Sequence, residues 1–198
     1  NERFIYNDKI IEDNELADLL NEIEEINAGQ PLTYFEALTA TFFHGCRNYK
    51  DNIVLAEFGL FGRGDAVNIL KKNLCNIVTS CSEDHLEWLP ENDRNIERII
   101  FEKTSSLLES NIIVAKQSSK EIVECIKKNI SNNRANKYFF NEDYNFVSME
   151  NDFFYYEDKY GGLKIPKPGI NGQFQLENAS TAIASVRILE NLKIKDEQ

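Results

Sequence analysis

The sequence predicts an α/β fold, a mostly parallel sheet with helices on both faces and a small antiparallel hairpin near residues 146–156. Three observations carry this expectation. Short runs of strand length recur at 53–58, 74–80, 111–115 and 137–140, the first three rich in β-branched residues. Helix-periodic segments alternate with them, as expected of a parallel sheet covered on both sides. After Asp143 the texture changes to two alternating stretches on either side of the turn signal Glu150-Asn151-Asp152.

Taken in order, Leu16, Leu19, Leu20, Ile23 and Ile26 share one face of a helix over residues 13–27, with Asp13 as its N-cap. A loop at Gly29–Pro31 leads into a second helix from about Thr33, whose inner face is Phe35, Leu38, Phe42 and Phe43. Ile53–Phe58 reads as a strand that meets an acid, Glu57, and then a glycine-rich loop. That places Glu57 at the C-terminal edge of the sheet, where open α/β folds bind ligands. Leu74–Ser80 is the next strand, and Ile96, Ile99, Ile100, Leu107 and Leu108 mark a helix over residues 94–108. Asn111–Ala115 is a third strand. It precedes Ser118-Ser119-Lys120-Glu121, a capping box opening a helix with Ile122, Val123, Ile126 and Ile130 inward. Lys137–Phe140 is a fourth strand, and Phe146–Met149 pairs with Phe153–Tyr156 in the hairpin. A short strand at Leu163–Ile165 lies within a Gly/Pro-rich stretch. The final helix, from about Leu176, turns Ala179, Ala182, Ile183, Val186 and Leu189 to one side.

The 198 residues suffice for one domain with a sizeable core, and no apolar run reaches the length of a membrane span. The four cysteines show no C-x-x-C pair, which argues for reduced thiols and a cytoplasmic protein. Net charge is −11, and residues 1–36 hold ten acids against Arg3 and Lys9. Such a field repels nucleic acid and anionic membrane, so neither is an expected partner. The chain opens on Asn1, not Met, and inside a pattern. We expect a piece of a longer protein in which residues 1–192 are one partial domain and 193–198 begin a linker.

The most informative stretch is Ile53–Asn68, IVLAEFGLFGRGDAVN. It resembles the E-V-G-L-G-G-R-L-D-A-T-N signature of folylpolyglutamate synthase and dihydrofolate synthase, ATP-dependent amide ligases of the Mur ligase family. Glu57, Gly59, Gly62, Arg63, Asp65 and Asn68 carry the agreement. Further matches are Asp84-His85 after VTS, Glu102-Lys103 for E-K-A-G-I, Gln175 and Asn178 within G-x-H-Q-L-x-N-A, Leu32-Thr33-Tyr34-Phe35-Glu36 for L-T-x-F-E, and the opening Asn-Glu-Arg. Phe61 stands where the family has glycine, Phe174 where it has histidine, and Thr104–Ser106 where it has Ala-Gly-Ile.

The resemblance implies a central ATP-binding domain of Mur-ligase type and an enzyme that adds L-glutamate to folate or dihydropteroate through an acyl phosphate. It implies Mg²⁺ held by Glu57 and His85, and Lys103 as a carbamate that supplies a further carboxylate. Gln175 and Asn178 fall on the adenine side of ATP, and Thr33, Phe35 and Asp65 on the substrate side. Each residue also has a plain alternative: a solvated strand-end acid, a surface histidine, a solvated helix lysine, a helix cap, a core aromatic. His44 reads as structural. The chain contains no G-x-x-x-x-G-K-[ST] phosphate loop. Alone it is expected to be inactive, to bind ATP poorly and to self-associate, whereas the parent is expected to be a monomer. The competing reading is a degenerate, non-catalytic module of the same fold that serves in binding or as a scaffold.

Overall fold

A computed structural model describes residues 3–50, 52–148, 152–172 and 174–189. The turn residues Glu150 and Asn151, Gln173, the opening Asn1–Glu2 and the linker 193–198 lie outside the described residues. The fold divides into two compact units. The first comprises 1–59 and 64–69, and the second comprises 60–63 and 70–198.

The first unit opens with a hairpin, β1 (Ile5–Tyr6) and β2 (Lys9–Ile10), paired antiparallel. Asn7 and Asp8 make its turn with φ of 48° and 61°, the left-handed values a two-residue hairpin turn requires. Helix α1 (Asp13–Asn27) begins one residue earlier than the sequence suggests, because Glu12 is the N-cap and Asp13 is already helical. Helix α2 (Tyr34–Cys46) follows, with Thr33 as N-cap. Phe4, Tyr6, Ile11 and Leu19 form the core here, with Leu38 and Phe42 of α2 packed on it. A Cβ on Gly45 would fall 2.4 Å from the Tyr6 hydroxyl oxygen, so glycine in α2 lets the hairpin close on the helix. His44 is structural as expected, its ring bonded to Glu22 on α1.

The expected strand Ile53–Phe58 is not formed. The segment carries no ladder among the described residues, and Ile53, Val54 and Leu55 are exposed. β-Branched composition is realised as a strand only where a neighbouring strand takes up the backbone groups.

The second unit is built on a parallel sheet in the order β3 (Cys75–Val78), β4 (Asn111–Val114), β5 (Lys137–Phe139). Successive β4 residues point to opposite faces, and both faces are covered. Ile112 and Val114 meet α3 (Ile96–Thr104) and α4 (Lys120–Asn129) on one side. Ile113 meets α5 (Phe174–Ile188) and a three-stranded antiparallel sheet on the other. That sheet, β6 (Tyr144–Ser148), β7 (Phe153–Asp158) and β8 (Gly161–Pro166), joins the expected hairpin to the short strand expected at Leu163–Ile165, which runs longer than the sequence suggests.

Two boundaries differ from expectation. Helix α3 stops at Thr104, whose hydroxyl donates to Ile100 O, and the Leu107 and Leu108 carbonyls are taken by the Asn133 and Asn76 amides. Helix α4 is capped by Ser119, not Ser118, its hydroxyl accepting from Ile122 N–H.

Because Ile113 is fully buried where α5 and the antiparallel sheet meet the parallel sheet, Ile113→Ala is expected to destabilise the second unit by about 2–5 kcal/mol. Urea denaturation followed by circular dichroism measures it.

Candidate functional site

In the first unit, Phe35, Glu57, Gly59 and Val67 line a cavity of about 420 Å³, within the size range of small-molecule sites. Thr33 stands at the start of α2 with its hydroxyl engaged in a capping box. Glu36 N–H donates to it (3.2 Å), while the Glu36 carboxylate accepts from Thr33 N–H (2.8 Å) and from the hydroxyl itself (2.7 Å). Those bonds hold the Glu36 carboxyl below its ordinary range. The capping box fixes the first turn of α2, which carries Phe35. A Cβ on Gly59 would sit 3.2 Å from the Phe35 ring, so glycine lets the aromatic approach the backbone. Asp65 shapes the turn, with Gly59 N–H donating to Oδ2 (2.9 Å) and Val67 N–H to Oδ1 (2.8 Å). Glu57 is exposed at the cavity wall, and its carboxylate makes no hydrogen bond or ion pair among the described residues.

In the second unit the glycine loop is latched to α3. Gly62 and Arg63 N–H both donate to Glu102 O, at 3.1 and 3.2 Å. The Arg63 guanidinium forks onto the Glu102 carboxylate with two bonds of 2.8 Å. Arg98 adds a third contact at 2.7 Å. Arg63 in particular, with Arg98, holds the buried Glu102 carboxyl below the usual glutamate range against the opposing effect of burial.

Lys103, the next residue, is half-buried and makes no hydrogen bond or ion pair among the described residues. Its charge acts on the buried thiol of Cys81, which burial pushes up. All four cysteines are free thiols. His85 follows β3 in a left-handed conformation, φ 58°. Its N–H donates to Asp84 Oδ1 (2.8 Å), and its ring lies 3.4 Å from Asp84 Oδ2 and 3.9 Å from Glu87. The Phe61 ring stands edge-on to it at 6.5 Å between centroids. Gln175 and Asn178 occupy the first turn of α5, where Asn178 Nδ2 donates to Gln175 Oε1 (3.2 Å).

The structure thus gathers Phe35, Glu57 and Asp65 around one cavity and its supporting turn. His85, Lys103, Gln175 and Asn178 belong to the other unit. The expectation that Glu57 stands at the C-terminal edge of the sheet is corrected. Glu57 sits in the segment that forms no strand, and only His85 follows one. Among the described residues no group of three or more His, Cys, Asp or Glu side chains stands ready to hold a metal.

Sequence reasoning missed Glu102 as an anchor, although its position three residues after Ile99 forecast an acid on a buried face. It also missed Gln117. The Gln117 amide accepts from Cys81 N–H (2.9 Å) and donates to Thr79 O (3.1 Å) and Ala115 O (2.9 Å), fastening the ends of β3 and β4 together. No spacing rule marks such a residue.

The fold class is that of solved folylpolyglutamate synthases. An FPGS–AMPPCP complex superposes with a TM-score of 0.83 at 19% identity over all of this chain and 51% of that one. The Escherichia coli FolC complex with ADP gives 0.82 at 26% identity, over 96% of this chain and 44% of that one. No family model matches the chain. Among curated proteins it is 32% identical over 135 residues to the dihydrofolate synthase/folylpolyglutamate synthase of Bacillus subtilis, covering 64% of this chain and 30% of that protein. It is 25% identical over 167 residues to the protein of the same name in Buchnera aphidicola subsp. Baizongia pistaciae, covering 84% of this chain and 37% of that protein. The chain is thus similar to dihydrofolate synthase/folylpolyglutamate synthases, and it spans about a third of the length of these curated proteins.

The depressed Glu102 carboxyl fixes the sign of one pH effect. Its contribution is complete above the range where an unfolded glutamate protonates, about pH 4.3, and is lost as pH falls through the lower folded value. Glu102→Gln should therefore lower stability at neutral pH and flatten part of the acid limb. Urea midpoints taken from about pH 7 down to about pH 3 check both effects.

Proposed function

We propose that this chain is part of an ATP-dependent ligase that adds L-glutamate to folate or dihydropteroate through an acyl phosphate. The observation that carries the reading is the cavity of the first unit. There a free carboxylate, Glu57, stands beside an aromatic wall and a glycine turn braced by Asp65. Solved relatives bear names that fit it: E. coli FolC in complex with DHPP and ADP, and an FPGS–AMPPCP–folate complex.

On this reading Phe35 offers its ring, and Thr33 and Asp65 hold the substrate side in shape. Gln175 and Asn178 face adenine from the start of α5. Residues 1–192 then form part of a central ATP-binding domain in a cytoplasmic enzyme of folate biosynthesis. Mg²⁺ commonly takes only one or two protein carboxylates beside phosphate oxygens, which suits Glu57 as a ligand. His85 and a carbamylated Lys103, both in the second unit, are the other residues proposed for metal binding. Bound there, the metal would neutralise charge between phosphate and carboxylate.

Within the glycine loop the Gly62 and Arg63 N–H groups are already given to Glu102 O rather than left for a phosphate. The 198 residues alone are therefore proposed to be inactive and to bind ATP poorly. The test is ATP-dependent transfer of labelled glutamate to dihydropteroate. A longer protein containing this chain is expected to turn over, Glu57→Ala is expected to lower the rate about 100-fold or more, and the isolated chain is expected to give none. Robust turnover by the isolated chain overturns the fragment reading.

One observation favours the second reading, a non-catalytic binding module. Phe61, in the place of a family glycine, is buried and lies against one edge of His85. Absence of turnover and of nucleotide binding in the longer protein would decide for it.

The parent is proposed to be monomeric and the isolated chain to self-associate through the exposed run Ile53, Val54 and Leu55. Sedimentation velocity should show association that weakens in Leu55→Lys, the residue being 86% exposed.

A further inference from the structure

We propose that Arg63 is a positioning residue for Lys103, its fork on Glu102 fixing the last turn of α3 and so the direction of the neighbouring amine. The inference rests on the reading of Lys103 as the reactive amine of the site.

Four bonds join Gly62 and Arg63 to Glu102. Two come from the guanidinium to the carboxylate, both 2.8 Å, and two from backbone N–H groups to the carbonyl at 3.1 and 3.2 Å. A buried carboxylate needs a partner, but Arg98 already supplies one at 2.7 Å. Arg63 acts on that carboxyl more strongly than Arg98 does, but charge alone could come from a lysine as well. Its side chain is 58% exposed while the Glu102 carboxylate is buried, so the pair ties a surface guanidinium to a buried anion. What the planar fork adds is direction, because two parallel bonds fix the orientation of the carboxylate as a lysine could not.

The element so held is a helix end, where fraying begins. Lys103 sits in that end. It has no hydrogen bond or ion pair of its own among the described residues, so its amine goes where the turn goes. Carbamylation joins an unprotonated amine to CO₂ with release of a proton, and it needs the nitrogen held in place but uncommitted. Lys103 is uncommitted, and on this proposal Arg63 fixes the turn that carries it.

The test is the rate of amine acetylation at Lys103 in the 198-residue chain, read by mass spectrometry against the exposed Lys120 and Lys128. In Arg63→Lys and Arg63→Gln, Lys103 should label about tenfold faster, the order expected on losing a charge-assisted hydrogen bond. Lys120 and Lys128 should stay within about twofold, since both are already exposed on α4. A purely stabilising Arg63 would leave the Lys103 rate unchanged in folded variants, or raise all three rates together. Either result overturns the proposal. Should Arg63→Gln fail to fold, Arg63→Lys, which keeps the charge and loses the fork, decides alone. Carbon-13 NMR of the wild-type chain in labelled bicarbonate separately asks whether Lys103 forms a carbamate. A missing signal removes that role from Lys103 without touching the labelling result.

Discussion

The second unit depends on β4. Ile112 and Ile113 are fully buried and Val114 nearly so, yet they face opposite ways, so a four-residue strand holds two hydrophobic cores apart and together. On one side α3 and α4 close over Ile112 and Val114, and on the other α5 and the antiparallel sheet close over Ile113. Shifting such a strand by one residue would exchange the two cores, so its register is strongly specified. The parallel pairing with β3 and β5 then sets where the chain leaves the sheet. The loops after Val78 and Val114 carry Asp84, His85, Lys116 and Gln117. Lys116 reaches Glu177 in the first turn of α5 at 2.7 Å, and Tyr144 bonds both Val114 O and Thr181. The start of α5, with Gln175 and Asn178, is thereby tied to the end of β4.

The glycine-rich stretch looks like an anion cradle and works as a latch. Three of its N–H groups are committed inside the protein: Gly59 to Asp65, and Gly62 and Arg63 to Glu102. Glycine at position 59 is needed for close approach, as the Phe35 ring shows, whereas Gly64 has open space around it and a φ of 79°. The signature thus belongs to both units, since 53–59 and 64–69 fall in the first and 60–63 in the second. A single run of sequence braces the cavity in one unit and the last turn of α3 in the other.

Most of the fold was legible because hydrophobic period is a strong signal. The strands at 75–78, 111–114 and 137–139, the helices and the hairpin all lie where the pattern puts them. The segment 53–58 shows where that signal ends. Its composition is that of a buried strand, but a strand is a pairing, and the information for pairing lies in another segment. Helix boundaries failed for a related reason. The early stop of α3 depends on Asn76 and Asn133, distant in sequence, which take the Leu107 and Leu108 carbonyls. Of the candidate site, the residue types were legible and their grouping was not. Thr33-x-x-Glu36 is a capping-box signal as well as a family match, and in the structure its bonds are those of the cap. Gln117 is invisible to spacing because its three bonds join the ends of two strands.

Charge completes the argument. A chain of net charge −11 can bring a polyphosphate and a carboxylate together only where positive charge is spare. Near the proposed site residues Arg63 and Arg98 are spent on Glu102, and Lys116 is spent on Glu177. Lys103 is left without an ion pair among the described residues. On the proposed reading, carbamylation would turn that amine into a carboxylate. The two proposals then stand together, because a site that trades its uncommitted cation for a carboxylate is chemically sensible only if a divalent cation comes with the nucleotide.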